Sequence, residues 1–353
     1  MKTQVLCSLT YILLGFGGLS AAHPQSVGSA KNTQTRGIQW ITSYEQAVNE
    51  AKKTGRPIAL FFTGSDWCTW CKKLEQEALD TGEFSSLVNG KIIFVKLDFP
   101  MHHPLEPRLA RQNQQLRDRY NINSYPTLLV VDAEGKKVGT TGYRQGGGRR
   151  FAQHLLSMVD SFSKQQDTIQ ELAGHDLSFD ELKDLYVKAK KLGHHEDSRK
   201  ILQQGLKKDK ENFFVTEQYR YLVEEGEMHE KNTLRLRSQL LSLRDAKQLR
   251  KAHHDIAVID FQALHHQMKR DHAHPAVAVA PLEDYLERYG NSDKENAWRM
   301  NMTISQVYME QGHLQEALKY AENAKSNAPN SVKGDINKAI SFIQHQLEQN
   351  HDS

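Results

Sequence analysis

Residues 62–73 read Phe62-Thr63-Gly64-Ser65-Asp66-Trp67-Cys68-Thr69-Trp70-Cys71-Lys72-Lys73, a turn-like segment followed by a Cys-x-x-Cys pair. Upstream, Pro57 opens the apolar run Ile58-Ala59-Leu60-Phe61-Phe62, the length and content of a buried strand. Thr63 to Asp66 has turn composition, and Cys68 to Leu79 carries a helix former at most positions. The pair Cys68 and Cys71 therefore falls where a strand hands over to a helix. At a helix start the first sulfur meets the unsatisfied N–H groups and the positive end of the helix dipole. Both favour thiolate over thiol at Cys68, the form that attacks a disulfide. Cys71, one turn along and more buried, is then placed to displace what Cys68 has captured.

Working outward, Ile38-Gln39-Trp40 reads as a short strand and Ser43 to Lys53 as a helix, with Ser43 as N-cap and Gly55 as its end. Lys91 to Leu97 reads as a second long strand, and Asp98 to Pro107, with three prolines and two histidines, as a loop. Leu109 to Tyr120 is predicted helical. Thr127 to Val131 and Lys137 to Thr141 are strands joined by the turn Asp132-Ala133-Glu134-Gly135. Phe151 to Phe162 closes the unit as a helix after Gly146-Gly147-Gly148, a hinge rather than a phosphate loop, since the strand before it is not apolar and the Gly-x-Gly-x-x-Gly spacing is missing. The order β-α-β-α-β-α-β-β-α implies an α/β sheet with some antiparallel pairing.

The chain has 353 residues, enough for two domains. Residues 1–22 have the layout of a secretory signal peptide: Lys2, an apolar run from Val5 to Leu19, then Ser20-Ala21-Ala22. The run is short for a spanning helix; an uncleaved membrane anchor is the alternative. Residues 23–36 form a polar leader, 37–162 the α/β domain, 163–177 a linker and 178–353 a helical domain. Of three cysteines, Cys7 would leave with the signal peptide. The remaining two close so small a loop that stapling the fold is a poor explanation for them, and redox chemistry is the better one. Zinc needs four ligands and no second cysteine pair exists; His102 and His103 lie far from Cys71 for a compact site. No metal or cofactor is expected. The histidines at 253, 254, 265, 266, 272 and 274 read as a solvated helix face rather than a metal site. A net charge of +3, spread along the chain, gives no basic patch for nucleic acid.

Tyr125-Pro126-Thr127 opens the strand Leu128-Leu129-Val130-Val131 some 55 residues after the cysteines. With this element, residues 37–162 resemble the thioredoxin superfamily, and Gly-Ser-Asp-Trp-Cys-x-Trp-Cys-Lys-Lys-Leu is similar to its exported bacterial disulfide oxidoreductases. The resemblance implies a thioredoxin-like central mixed sheet flanked by helices. It implies a cis-proline at Pro126 that lays out backbone for a substrate chain, where a plain trans strand-starter is the alternative. It implies that Tyr125 lines the groove and touches Cys68. Trp67 would shield the sulfur and present a flat apolar surface, or simply serve the core. Lys96 would assist proton transfer, or be a solvated strand-end lysine. Thioredoxins place an acceptor Asp six residues before the first cysteine; Phe62 stands there, which leaves the acceptor for Cys71 open between water and Lys96. The intervening Thr69 and Trp70 lack the His of strong oxidants, which favours a reductase or isomerase.

The tail of the helical region, Tyr308, Gly312, Ala317, Ala324 and Pro329, resembles a tetratricopeptide repeat, and Leu185 to Asn212 a degenerate copy with Gly193, Ser198 and Gly205 at its turn and small positions. The expectation is a periplasmic or secreted thiol–disulfide oxidoreductase acting on exported proteins with disulfides or thiols. A membrane or soluble redox partner would supply it, and its helical domain would bind clients or self-associate. The competing expectation is a tetratricopeptide-type scaffold with an inactive or redox-sensing thioredoxin-like domain.

Overall fold

A computed structural model describes residues 37–172, 174 and 176–351. The expected signal peptide and leader lie outside the described residues. Strand β2 (Ile58–Thr63) is the spine, with every residue buried. It pairs in parallel with β3 (Ile93–Asp98) and antiparallel with β4 (Thr127–Val131). β1 (Trp40–Ile41) joins β3 in parallel and β5 (Lys137–Thr141) joins β4 antiparallel, giving the order β1-β3-β2-β4-β5. A strand covered on both faces must be apolar without alternation, which is why residues 58–62 read as a continuous run.

The two faces carry separate cores. Ala59 and Phe61 pack with Cys71, Leu74, Phe84 and Phe151. Ile58, Leu60 and Phe62 pack with Ala47, Ala51, Leu116 and Tyr120. The second face is covered by α1 (Tyr44–Thr54), capped by Ser43 as expected, and α4 (Pro107–Arg119). The first is covered by α2 (Thr69–Leu74), α3 (Gly82–Val88) and α5 (Gly147–Gln170).

Three local expectations are corrected. The helix expected over 68–79 is α-helical only to Leu74 and continues as a π-helical turn, Glu75–Leu79. A further helix, α3, follows, capped by the Thr81 hydroxyl, which accepts the Phe84 N–H. The closing helix α5 begins at Gly147 and runs to Gln170 instead of spanning 151–162. The polar composition of its last turns disguised a helix whose far end packs Ile169 into the next core, joined there by Leu172 just beyond it.

Beyond α5 the described residues form helices only: α6 (Phe179–Lys191), α7 (His195–Leu206), α8 (Phe213–Glu224), α9 (Lys231–Leu241), α10 (Ala246–Asp271), α11 (Pro275–Tyr289), α12 (Lys294–Glu310), α13 (Leu314–Asn327) and α14 (Asn330–His351). Ser178 and Glu181 form a reciprocal capping box at the start of α6. Small residues sit at close crossings. Ala317 and Ala324 of α13 are fully buried, and the Ser305 hydroxyl donates to Ala317 O at 2.7 Å. Gly205 of α7 lies so close to Phe214 of α8 that a Cβ there would stand 2.4 Å from the ring.

The helical region joins the sheet at the β4–β5 hairpin. His194 Nε2 lies 2.7 Å from Lys137 O, Lys136 Nζ donates to Asp197 Oδ2 at 2.5 Å, and Gln166 of α5 shares that carboxylate. Val131 pairs with Ile58, so this hairpin lies at the end of the sheet opposite the loop that follows Thr63. The helices therefore dock away from the cysteines. Buried Asp197 is an affordable charge because Lys136 and Gln166 satisfy it.

Burial depresses the proton affinity of His194 and outweighs the hydrogen bond to the Lys137 carbonyl, which raises it; nearby Lys136 lowers it further, against Asp197 and Asp132. The unfolded chain then binds a proton more readily than the fold does, so this residue's contribution is complete above about pH 6.5 and fades as pH falls below it. Replacing His194 with Gln should reduce the loss of stability between about pH 7.5 and 5.5 in urea titrations; an unchanged pH dependence would contradict the assignment. Gly205→Leu should destabilise the helical region by about 1–3 kcal/mol through overpacking against Phe214, read as a lower urea midpoint.

Candidate active site

Thr63 ends β2 at the edge of the sheet, and the chain turns back within four residues: Cys68 N–H donates to Gly64 O at 2.8 Å. This turn delivers Cys68 as the N-cap of α2, with an extended backbone (φ −83°, ψ 100°). Its Sγ accepts the Cys71 N–H at 3.1 Å, so the sulfur takes the position that a Ser or Asp oxygen holds at an ordinary helix start. The two cysteines are joined as a disulfide, with Cα atoms 5.2 Å apart. Cys71 is fully buried against Leu74 and Phe61, while Cys68 keeps 5% of its surface exposed. Of the two, Cys68 is thus the less deeply buried.

Two carboxylates hold the turn. Asp98, the last residue of β3, accepts Ser65 N–H at 2.9 Å and Ser65 Oγ–H at 2.6 Å, and also the Phe99 N–H. Asp66 accepts N–H groups from Met101 and His102, at 3.0 and 2.7 Å. Desolvation pushes the Asp66 carboxyl up, but these N–H groups and the nearby His102 outweigh it and leave it below the usual carboxylate range. The loop expected over 98–107 is thus tied to the cysteine turn. Neither aspartate is legible as a site residue from the sequence, because each acts on backbone more than thirty residues away.

Trp67 donates its Nε1–H to Phe99 O at 2.8 Å and meets the edge of Tyr125, ring centroids 5.6 Å apart. It is fixed by neighbours but 36% exposed, so it lines the surface and does not belong to the core. A Cβ on Gly64 would stand 2.3 Å from this indole, which explains a glycine there. The Tyr125–Pro126 peptide bond is cis. Thr127 pairs with Phe62, so Pro126 sits at the sheet end from which the cysteine turn departs. Tyr125 packs on Trp67 and Phe99 beside Cys68.

Thr69 is exposed in the first turn of α2. Trp70 is 55% exposed and leans on Tyr143, centroids 5.1 Å apart, a neighbour that local sequence gave no means of finding. Lys96 shares the face of the sheet that carries Phe61 and Cys71, since it pairs in register with Phe61. Its amine is ion-paired with Glu75, one helical turn beyond Cys71. The Lys96 side chain is thus ion-paired and partly buried near the end of β3. Glu75 was overlooked, although its spacing of four from Cys71 is a helical-face signal. Phe62, at the position of the thioredoxin acceptor, is fully buried and stacks with Phe99. Among the described residues no group of three or more His, Cys, Asp or Glu side chains is placed to hold a metal ion, and His102 and His103 are exposed.

A thioredoxin-like domain family matches residues 44–157. Thioredoxin-related protein DsbJ of Chlamydia pneumoniae is 30% identical over 345 residues, covering 96% of this chain and 97% of that protein. Disulfide bond reductase DsbH of the same organism is 38% identical over 124 residues, 35% of this chain and 73% of that protein. A solved structure titled DsbH oxidoreductase is 33% identical and covers 38% of this chain and 95% of its own, with a TM-score of 0.36. The similarity to DsbJ runs through the helical region as well as the cysteine-bearing domain, and on that basis the chain belongs to the family of thioredoxin-related disulfide oxidoreductases that includes DsbJ and DsbH.

Proposed function

We propose that this protein is exported and reduces or isomerises disulfides in protein substrates, with Cys68 as nucleophile and Cys71 as resolving thiol. The observation that carries the reading is the Cys68 sulfur as N-cap of α2, accepting the Cys71 N–H while remaining the more accessible of the two. In the dithiol form the same first-turn N–H stabilises a Cys68 thiolate. That thiolate attacks one sulfur of a client disulfide, forms a mixed disulfide and expels the other client sulfur as a thiolate. Cys71, deprotonated, then attacks Cys68 Sγ and expels the second client sulfur. The client gains two electrons and the enzyme ends as the Cys68–Cys71 disulfide. A dithiol donor must return it to the reduced state by the same exchange, and a membrane or soluble redox partner is proposed for that role.

Trp67, Tyr125 and Pro126 form the surface against which the client segment lies. The direction of reaction follows from the absence of a cation between the cysteines: Thr69 and Trp70 do nothing by charge to stabilise the reduced form. The printed name of the relative DsbH, a disulfide bond reductase, supports the same direction. Export rests on the character of residues 1–22, and a periplasmic or secreted location follows; among the described residues no helix is long and apolar enough to cross a membrane. We assign 37–162 and 178–353 as separate domains and read the latter as tetratricopeptide-like. Because it docks at the opposite end of the sheet, it would act on a client by holding a part remote from the reacting disulfide, or by self-association.

Insulin reduction driven by dithiothreitol tests the reading. Cys68→Ser should fall to the uncatalysed rate. Cys71→Ser, reduced beforehand and freed of dithiothreitol, should accumulate a mixed disulfide with substrate, visible as a mass shift on non-reducing gels. Equal rates for wild type and Cys68→Ser would remove catalysis from the account.

A further inference from the structure

In the thioredoxin-like region, large apolar side chains left exposed are Trp67 at 36%, Trp70 at 55% and Met101 at 70%. Trp67 directly precedes Cys68, Trp70 lies between the two cysteines, and Met101 belongs to the loop that Asp66 ties to the cysteine turn. Exposed apolar surface concentrated at one place marks a docking surface. Trp67 and its partner Tyr125 form one wall. The other wall is built differently.

Trp70 leans on Tyr143, and Lys73 Nζ lies 5.1 Å from the centre of each ring. The Tyr143 hydroxyl donates to Glu77 Oε2 at 2.5 Å, and Glu77 also faces Lys73 at 3.7 Å. Both aromatic rings are thus fixed from behind while the outer face of Trp70 stays open. Tyr143 lies two residues past Thr141, which pairs with Leu128, so it stands beside Pro126 at the same end of the sheet. A client backbone running along Pro126 would pass between the Trp67–Tyr125 wall and the Trp70–Tyr143 wall. The Lys73 charge is compensated by Glu77, so the second wall offers area and a π face without net charge.

We propose that Trp70 and Tyr143 form a specificity shelf that takes an aromatic side chain adjacent to the client's reacting cysteine. The occupant is an extended client segment with an apolar flank to its disulfide, of the kind a folded protein buries and an incompletely folded one exposes. The idea rests on Cys68 being the attacking sulfur and goes beyond it by assigning Trp70 and Tyr143 to substrate choice. Neither residue takes part in the exchange of sulfurs.

The test uses the full chain with dithiothreitol as reductant. The substrates are peptides of one length whose cysteine is preceded or followed by Phe, Ser, Asp or Lys, each joined through a disulfide to a fluorescent thiol. Wild type should prefer a Phe peptide over its Ser counterpart in kcat/KM by about tenfold, the worth of one aromatic contact and the area it buries. Trp70→Ala and Tyr143→Ala should each bring the Phe-to-Ser ratio towards one, and Trp70→Phe should restore most of it. An unaltered ratio in both alanine variants overturns the shelf, as does an equal loss on every peptide, which would place Trp70 in the chemistry instead. A wild-type preference for Asp or Lys also overturns it. Wild-type turnover of the Ser peptide upholds the catalytic reading whichever way the ratio falls.

Discussion

The contact on which the rest of the site depends is a hydrogen bond to sulfur: the N–H of Cys71 pointing at Cys68 Sγ across the first turn of a helix. A helix start has backbone donors with no partner of their own. Filling that position with a cysteine makes satisfying the helix and stabilising a thiolate one and the same interaction. The site asks for no further donor at this sulfur, because the N–H that caps the disulfide is the one that would stabilise a thiolate. What it does need is a chain that reverses sharply before Cys68, and residues 63–67 are held for that purpose. Asp98 grips the turn from the end of β3, Asp66 ties it to the following loop, and Gly64 leaves room for the Trp67 indole.

The sheet explains why these parts converge. β2 and β3 are parallel and in register, so Thr63 and Asp98 end side by side and their loops meet. β4 enters antiparallel, which brings Pro126 to the same end and sends the β4–β5 hairpin to the other. Chemistry and domain docking are thereby separated along one strand direction. The end near Cys68 presents aromatic surface. The far end is taken up by Lys136, Asp197 and His194, where the helical region is attached.

Much of this was legible from sequence because the decisive signals are local. A five-residue apolar run, a turn and a Cys-x-x-Cys identify the strand–helix junction, and Tyr125-Pro126 before a second apolar run places its partner strand. The redox reading followed from two cysteines that are too close together to staple a fold. Other features were hidden for equally physical reasons. The helix α3 begins with Gly82 and is short, so its stability comes from burying Phe84 and Val88 and not from propensity. The end of α5 was masked by polar composition, since in its last two turns Ile169 is the side chain that reaches the next core. Asp66, Asp98 and Tyr143 act across the fold, and nothing in their immediate neighbours announces it. Glu75 is different: its distance of one turn from Cys71 was available, and its significance emerges only once Lys96 is seen across from it.

The central claim is that Cys68 and Cys71 form a reversible redox couple at a helix start. Equilibrating the full chain with glutathione or dithiothreitol buffers of graded potential, and counting free thiols by alkylation and mass, addresses it directly. The account requires both cysteines to change state together as one two-electron couple, with a potential nearer thioredoxin's, about −270 mV, than the about −120 mV of a strong oxidant. Sulfurs that stay reduced throughout the range, or that resist alkylation because they hold a metal ion, would contradict it.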